Sequence, residues 1–376
     1  MATFTYDISG YLDLTRIDDT EYLKEKSLHW NTKDNYTILK YKKTSINSET
    51  VSTLGNFRSV VIDNQTHDVV AFSPPKSYTV EDFTKNVGGE LAFEEYIDGT
   101  MVNLFFHNGE WQMATRSILG GKGVFFDGRK TFREMFLECM IEDGLEFDDL
   151  NKEYSYSFVV QHCENRIVTN YTSNHLVLCA IYSCQGTTVT SIPLSEFKCD
   201  WNGSFPKKYT DISSIDAVYV KMDITPYYVP GVVITDGIIR TKIRNPNYEY
   251  VRKLRGNQPK SQYHYLSLRH TGMLTEFLEY YPEYSDEFSE FSAQVFEFMN
   301  NLYAFYHRCY AKKEKPLGEF PKEYRQHMYQ LHQMYISEYR EKSEYITKQI
   351  VMKYVDDMEP AHLMYAINYK HRSTVL

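Results

Sequence analysis

Cys-x-x-Cys pairs are missing from this chain, although it holds six cysteines, Cys139, Cys163, Cys179, Cys184, Cys199 and Cys309. That disfavours a zinc ribbon or a similar paired-thiolate site. The cysteines read instead as reduced, mostly buried thiols of an intracellular protein. No apolar run is long enough to cross a bilayer. The start, Met1-Ala-Thr-Phe-Thr-Tyr-Asp7, has neither a basic head nor an apolar stretch. No signal peptide is therefore expected, and the expected compartment is the cytoplasm. Gly-x-x-x-x-Gly-Lys-Ser and Gly-x-Gly-x-x-Gly are also lacking, which weighs against P-loop and dinucleotide-binding folds. His162 and His175 make no metal-ligand spacing with any cysteine, and His327 and His332 lie too far round a helix to share a zinc. A surplus of positive charge is absent too, the formal net charge being -9. Proteins that coat nucleic acid in bulk are usually basic. Any such contact here must come from a local cluster of cations.

What is present is an ordinary globular composition, 42% hydrophobic and 24% charged, over 376 residues. That length favours two domains over one. The 33 Tyr and 22 Phe are unusual. Such rings fill cores and can also stack on bases. Here they mostly recur at strand or helix spacing, so packing is their first use.

The first two thirds read as strands and turns. Tyr36–Tyr41 alternates like a half-buried strand. Arg58–Asp63 and Asp68–Phe72 flank a loop at residues 64–67. Glu90–Ile97, Thr100–His107 and Trp111–Thr115 are separated by Asp98-Gly99 and Asn108-Gly109, which suit tight hairpin turns. A three-strand meander is expected. A helix over Arg129–Ile141 has Phe132, Met135, Phe136, Cys139 and Met140 on one face. Strands follow at Tyr154–His162 and His175–Tyr182, then a hairpin over Gly231–Arg244 turning at Asp236-Gly237 and ended by Pro246. Past about residue 250 the spacing turns helical, at Ser285–Tyr306, Tyr324–Tyr339, Ser343–Tyr354 and Ala361–Tyr369. The expectation is an α+β domain of antiparallel sheets flanked by helices over residues 1–250, and an all-α domain over 251–376.

Several short segments occur in a telling order: Arg58; Lys76-Ser-Tyr78; Tyr96-Ile-Asp98-Gly99; Arg116; Asn165-Arg-Ile-Val168; and Lys242-Ile-Arg244. In this order they resemble the T4 RNA ligase 1 family of ATP-dependent RNA ligases, found in phages and large DNA viruses. The resemblance runs from about Tyr36 to Arg244. It implies a nucleotidyltransferase domain of the ligase, ATP-grasp-like kind, with a helical domain behind it. In such enzymes the lysine of a Lys-x-Asp-Gly motif attacks the α-phosphate of ATP. The adenylyl group passes to an RNA 5′-phosphate, and a 3′-hydroxyl then displaces it.

Carried onto this chain, the resemblance gives Tyr96, Asp98, Lys242 and Arg244 catalytic roles. Arg58, Lys76, Tyr78, Gly99 and Arg116 would bind the nucleotide. ATP and Mg²⁺ (or Mn²⁺) are the implied cofactors, and RNA ends, tRNA among them, the implied partner. Tyr96 stands where the nucleophilic lysine belongs. Val159 and Pro230 fall where metal-binding glutamates are usual, with Glu164 and Asp236 as substitutes nearby. A phenol must become an anion beside three phosphates before it attacks, whereas an amine need only lose a proton. The sequence therefore leaves three readings open. One is a ligase with an altered nucleophile (Tyr96 or Lys76), or one that acts only in sealing. Another is an inactive ligase-fold module that binds nucleotide or RNA ends. The last is an interaction protein with a remote likeness.

Overall fold

A computed structural model of the protein describes residues 3–124, 128 and 130–370. The chain forms two compact units, Met1–Arg255 and Gly256–Leu376. In the first, the described strands run β1 (Thr5–Asp7), β2 (Leu28–Lys33), β3 (Tyr36–Tyr41), β4 (Val60–Asp63), β5 (Val69–Phe72), β6 (Ala92–Glu95), β7 (Thr100–His107), β8 (Glu110–Thr115), β9 (Tyr154–Gln161), β10 (His175–Gln185), β11 (Thr188–Ile192), β12 (Gly231–Thr235) and β13 (Arg240–Arg244). They build antiparallel sheets ordered β1-β11-β10-β9-β7-β8, β2-β3-β4-β5 and β13-β12-β6. The class is α+β, as the strand and helix spacings predict.

The expected three-strand meander does not form. The turn at Asn108-Gly109 does join β7 to β8, both residues taking positive φ (52° and 85°). Asp98-Gly99, however, is no hairpin. β6 pairs with β12, and β7 pairs with β8 and β9 in another sheet. Residues 96–99 therefore carry the chain from one sheet to the next. Alternating residues mark a strand but do not say which strand it pairs with.

The helices of this unit are α1 (Thr20–Glu25), α2 (Val80–Asn86), α3 (Phe132–Glu142), α4 (Ile215–Asp223) and α5 (Pro246–Arg255). α3 buries Met135, Phe136, Cys139 and Met140 against Val102, Leu104, Phe158 and Leu176 of the large sheet. The expected start at Arg129 lies outside the described residues. The helix itself is set by a capping box. Thr131 Oγ1 accepts from the Glu134 amide, and the Glu134 carboxylate accepts from the Thr131 amide. Thr131→Ala is expected to cost about 1 kcal/mol in urea unfolding. On the far side, β2-β3-β4-β5 covers the large sheet through Tyr36, Ile38, Val61 and Ala71 against Phe105 and Ala114. The small sheet rests one face on α2 and α4, where Phe93, Val232, Ile234 and Ile243 meet Phe83, Val218 and Met222. Its other face is left for the site described below.

The second unit is helical: α6 (Ser261–Thr271), α7 (Leu274–Tyr280), α8 (Ser285–Tyr306), α9 (Lys322–Met334), α10 (Lys348–Asp356) and α11 (Pro360–Ile367). Part of its aromatic content is core: Tyr265, Phe277, Tyr281, Phe288 and Phe320 are almost wholly buried, whereas Phe296, Tyr329, Tyr345 and Tyr365 are exposed. The expected helix from Ser343 starts later, at Lys348. Ser343 takes a left-handed φ of 57°, and the Thr347 side chain caps the Ile350 amide. Among the described residues no helix is long and apolar enough to cross a membrane. All six cysteines are free thiols; Cys139 and Cys309 are buried, Cys179, Cys184 and Cys199 are half-buried, and Cys163, in the turn after β9, is exposed. The expectation of mostly buried thiols is corrected to that extent.

Candidate nucleotide site

The small sheet has two unlike faces. Across it, Lys242 sits beside Val233, and Val233 beside Glu94. Thr241 and Ile243 point the other way and are buried. Arg240, Lys242 and Arg244 therefore share one face, because side chains alternate along a strand. Tyr96 follows β6 directly, and its amide donates to the Gly231 carbonyl, 3.2 Å. The phenol reaches the same face: Lys242 Nζ donates to Tyr96 Oη over 3.2 Å and lies 4.6 Å from the ring centre.

More cations converge on this face from other elements. Arg58 stands two residues before β4 and donates to the Pro74 carbonyl. Lys76 follows the Pro74-Pro75 pair, and its Nζ donates to the Ser77 carbonyl over 2.8 Å. Arg240 Nε donates to the Pro75 carbonyl over 3.2 Å, tying this loop to β13. Arg116, at the end of β8, is exposed and lies over the Tyr41 ring at 5.0 Å. Their charges act on one another. Burial lowers the Lys242 pKa from 10.5 to about 7, helped by Arg58, Arg244, Arg240 and Lys76. Burial first, then Arg240, lowers Arg58 from 12.5 to about 10, and Tyr96 and Arg116 also act on it. Lys76 is lowered by burial and then by Arg58, Arg244, Arg240 and Arg116. The fold thus brings Arg58, Lys76, Tyr96, Arg116, Lys242 and Arg244 into one electrostatic neighbourhood. Cations gathered in this way make a local positive field that attracts anions, in a protein whose net charge is -9.

Beside it opens a cavity of about 470 Å³, lined among others by Tyr6, Lys76, Tyr78, Glu94, Tyr182 and Arg240. Tyr78 is fixed there by β13, its amide donating to the Arg240 carbonyl and its carbonyl accepting from Thr241 Oγ1. Burial raises the pKa of Glu94, opposed by Lys208 and Arg240. The helical unit has a larger cavity, about 1250 Å³, but its wall mixes Lys322 and Lys353 with Glu323, Glu338, Asp357 and Glu359. Opposite charges on one wall offer an anion little preference, so size does not decide between the two.

Asp98 is used differently. Its carboxylate is buried and fully engaged, accepting from the Val168 and Thr169 amides (3.3 and 3.0 Å) and from Tyr248 Oη (2.7 Å). Its carbonyl accepts from Gln161 and Tyr171. Asn165 Nδ2 donates to Thr100 Oγ1 over 2.9 Å. The segment Asn165–Thr169 is thus the cradle of the 96–99 crossing, and Asp98 positions that crossing. Gly99, with φ of 133°, lets the backbone pass Val160. Arg244 is partly neutralised by Glu249 at 2.9 Å.

Metal-binding carboxylates do not assemble. Val159 is buried within β9, and Pro230, also buried, directly precedes β12. Glu164 is held by Lys130 at 2.7 Å, and Asp236 accepts from the Ile238 and Ile239 amides of its own turn. Among the described residues no three His, Cys, Asp or Glu side chains gather as a ligand set. A Mg²⁺ bound through one carboxylate and the phosphates of its nucleotide would need no such cluster, and Glu94 is a carboxylate at the cavity wall. His162 pairs with Glu138 and His175 with Asp143, both structural contacts.

Arg240 was not singled out by the sequence reading. Its signal was available, since Arg240, Lys242 and Arg244 alternate in one strand.

No protein-family model matches the chain. Among curated proteins it is similar to the "Putative bifunctional polynucleotide kinase/RNA ligase" of Autographa californica nuclear polyhedrosis virus, 27% identical over 133 residues, covering 30% of this chain and 19% of that protein. It is also similar to the "Immediate-early protein ICP-46" of Frog virus 3 (isolate Goorha), 25% identical over 223 residues, covering 54% of each. The chain thus spans about a fifth and about half of these relatives' lengths. Similar solved structures include an archaeal ATP-dependent RNA ligase, 14% identical with a TM-score of 0.43, covering 78% of this chain and 83% of that one. Another is a "Putative ATP-dependent DNA ligase from Aquifex aeolicus", 13% identical with a TM-score of 0.39, covering 85% and 80%.

Proposed function

We propose that this protein is an RNA ligase-like nucleotidyltransferase, which takes ATP into the cationic hollow of the first unit and joins RNA ends through an adenylylated intermediate. One observation carries the reading: Arg58, Lys76, Arg240, Lys242 and Arg244 act on one another's charge beside Tyr96. A triphosphate is a common ligand whose charge suits such a group. The similarity to a viral protein named for RNA ligase activity agrees with it. Residues 1–250 would hold the nucleotidyltransferase site, and the helical residues 251–376 would engage the RNA. Basic side chains take the role of steadying phosphate charge as the adenylyl group moves. Gly99 and Asp98 hold the crossing that presents Tyr96. Tyr78, at the cavity wall, offers a ring to the nucleotide base. Mg²⁺ or Mn²⁺ belongs to the reading as an expected cofactor only, and no step here runs through it.

Calorimetry with ATP tests the site. Arg58→Ala and Lys76→Ala are each expected to weaken binding by about 1–3 kcal/mol, the range for hydrogen bonds to charged groups. Unchanged affinity in both would remove the assignment. Transfer of labelled AMP, and joining of RNA that already carries a 5′-adenylate, test the chemistry. A second reading has its own support, in Tyr96 at the nucleophile's place and in Glu164 and Asp236 being committed elsewhere. It is an inactive module that binds nucleotide or RNA ends. Tight ATP binding with neither transfer nor joining would establish that one.

A further inference from the structure

We propose that the adenylyl acceptor of this protein is the amine of Lys242, which reaches from β13 into the place where the sequence motif offers only Tyr96. The inference rests on the nucleotidyltransferase reading above and deepens it. Its geometry is direct. Lys242 Nζ lies 3.2 Å from Tyr96 Oη, so phenol and amine address the same point of the hollow. Nucleophile and motif have parted in sequence and stay together in space, because β6 and β13 flank β12 in one sheet.

The neighbours narrow the choice. Arg58, Arg240 and Arg244 cannot give up a proton to become nucleophiles. Lys76 Nζ is spent on the Ser77 carbonyl at 2.8 Å. Tyr96 would have to hold a phenolate against the phosphates it attacks. Lys242 makes its hydrogen bond to Tyr96, and among the described residues no carboxylate lies within ion-pair distance of it. The groups facing it are Arg58 from before β4, Lys76 from the proline loop, Arg240 and Arg244 from β13, and Tyr96 after β6. Glu94 lies in the same row two strands away. Burial holds the amine's pKa down and the cations around it add to that effect, so the amine is neutral for a large share of the time near pH 7. Donating an N–H to Tyr96 Oη leaves the nitrogen lone pair for phosphorus.

The step balances. The Nζ–P bond forms as the bond from the α-phosphorus to its bridging oxygen breaks. Pyrophosphate leaves with that electron pair, and the surplus proton on nitrogen passes to water. In the next step an RNA 5′-phosphate oxygen takes the adenylyl group, the P–N bond breaks, and the amine regains a proton.

The test uses the intact protein and ATP labelled at the α-phosphate, with Mg²⁺ or Mn²⁺ added. Adduct is trapped, digested at neutral pH and mapped by mass spectrometry. The expected result is label on the Lys242 peptide, lost in mild acid and kept in alkali, as a phosphoramidate behaves. Labelling should climb about tenfold per pH unit below about 7 and level off above it. Lys242→Arg should lose the label. Mapping needs only the natural chain, so a variant that failed to fold would not blur the outcome. Label on Tyr96, stable to acid, or on Lys76 would overturn the inference and leave the proposed function standing. No label, with pre-adenylated RNA still joined, would also overturn it and leave a sealing enzyme. Failure of labelling, joining and ATP binding together would remove the proposed function itself.

Discussion

Gly99→Ala is expected to destabilise the first unit by about 3 kcal/mol or more. Two costs add. Gly99 has φ of 133°, a region that side chains other than hydrogen rarely enter. A Cβ there would also lie 2.4 Å from the Val160 carbonyl oxygen and 2.7 Å from Val159 Cγ1. The first contact is backbone, and Val160 is paired with Thr100 across β7 and β9, so it cannot step aside without breaking the ladder. Urea unfolding followed by circular dichroism gives the number. A shift in midpoint below the equivalent of about 1 kcal/mol would mean that the crossing between sheets tolerates a side chain.

A second large effect is a stability that rises with pH above neutrality. Lys242 titrates at about 7 in the folded protein and near its ordinary 10.5 when unfolded. Between those values the unfolded chain holds a proton that the folded chain has released. Stability then rises with pH by up to about 1.4 kcal/mol per unit, or about 2 kcal/mol from pH 7 to 9. Below pH 7 both forms hold the proton and the full penalty is present. Cys139, Cys179 and Cys184, pushed up to about 12 by burial, oppose this trend once unfolded thiols ionise near pH 9. The clean window is therefore pH 7 to about 8.5. Urea midpoints of the natural protein and of Lys242→Met, compared at pH 6.5, 7.5 and 8.5, isolate the lysine. A difference that stays constant with pH would show that Lys242 is not depressed. Inorganic triphosphate should stabilise the natural protein more at pH 6.5 than at 8.5, because the anion favours the charged amine.

Local pattern made much of this protein legible. The strands at Tyr36–Tyr41 and Tyr154–Gln161 and the helix Ser285–Tyr306 follow from spacing alone. The turn at Asn108-Gly109 follows from the two residues that accept positive φ. Partner choice did not follow. β6 was read with β7, its neighbour in sequence, yet it pairs with β12, which supplies Val232 and Ile234 to a shared core with Phe93. Spacing carries no record of such distant pairing. In the site, the alternation of Lys242 and Arg244 placed them on one face, and Arg240 continues that alternation by one more step. The use of Asp98 was not legible, because its partners at Val168, Thr169 and Tyr248 are contributed by backbone and by a helix far along the chain.

The strand β13 ends its sheet, and among the described residues its outer side is met by the loop of Pro75 and Tyr78 rather than by another strand. A strand at the end of a sheet, where a loop covers it only in part, invites a foreign chain to add itself and so begin aggregation. Arg240, Lys242 and Arg244 stud that rim with same-sign charge. Like charges set opposite each other across a strand pair are destabilising, so Arg240 and Arg244 work against a second copy adding itself along β13.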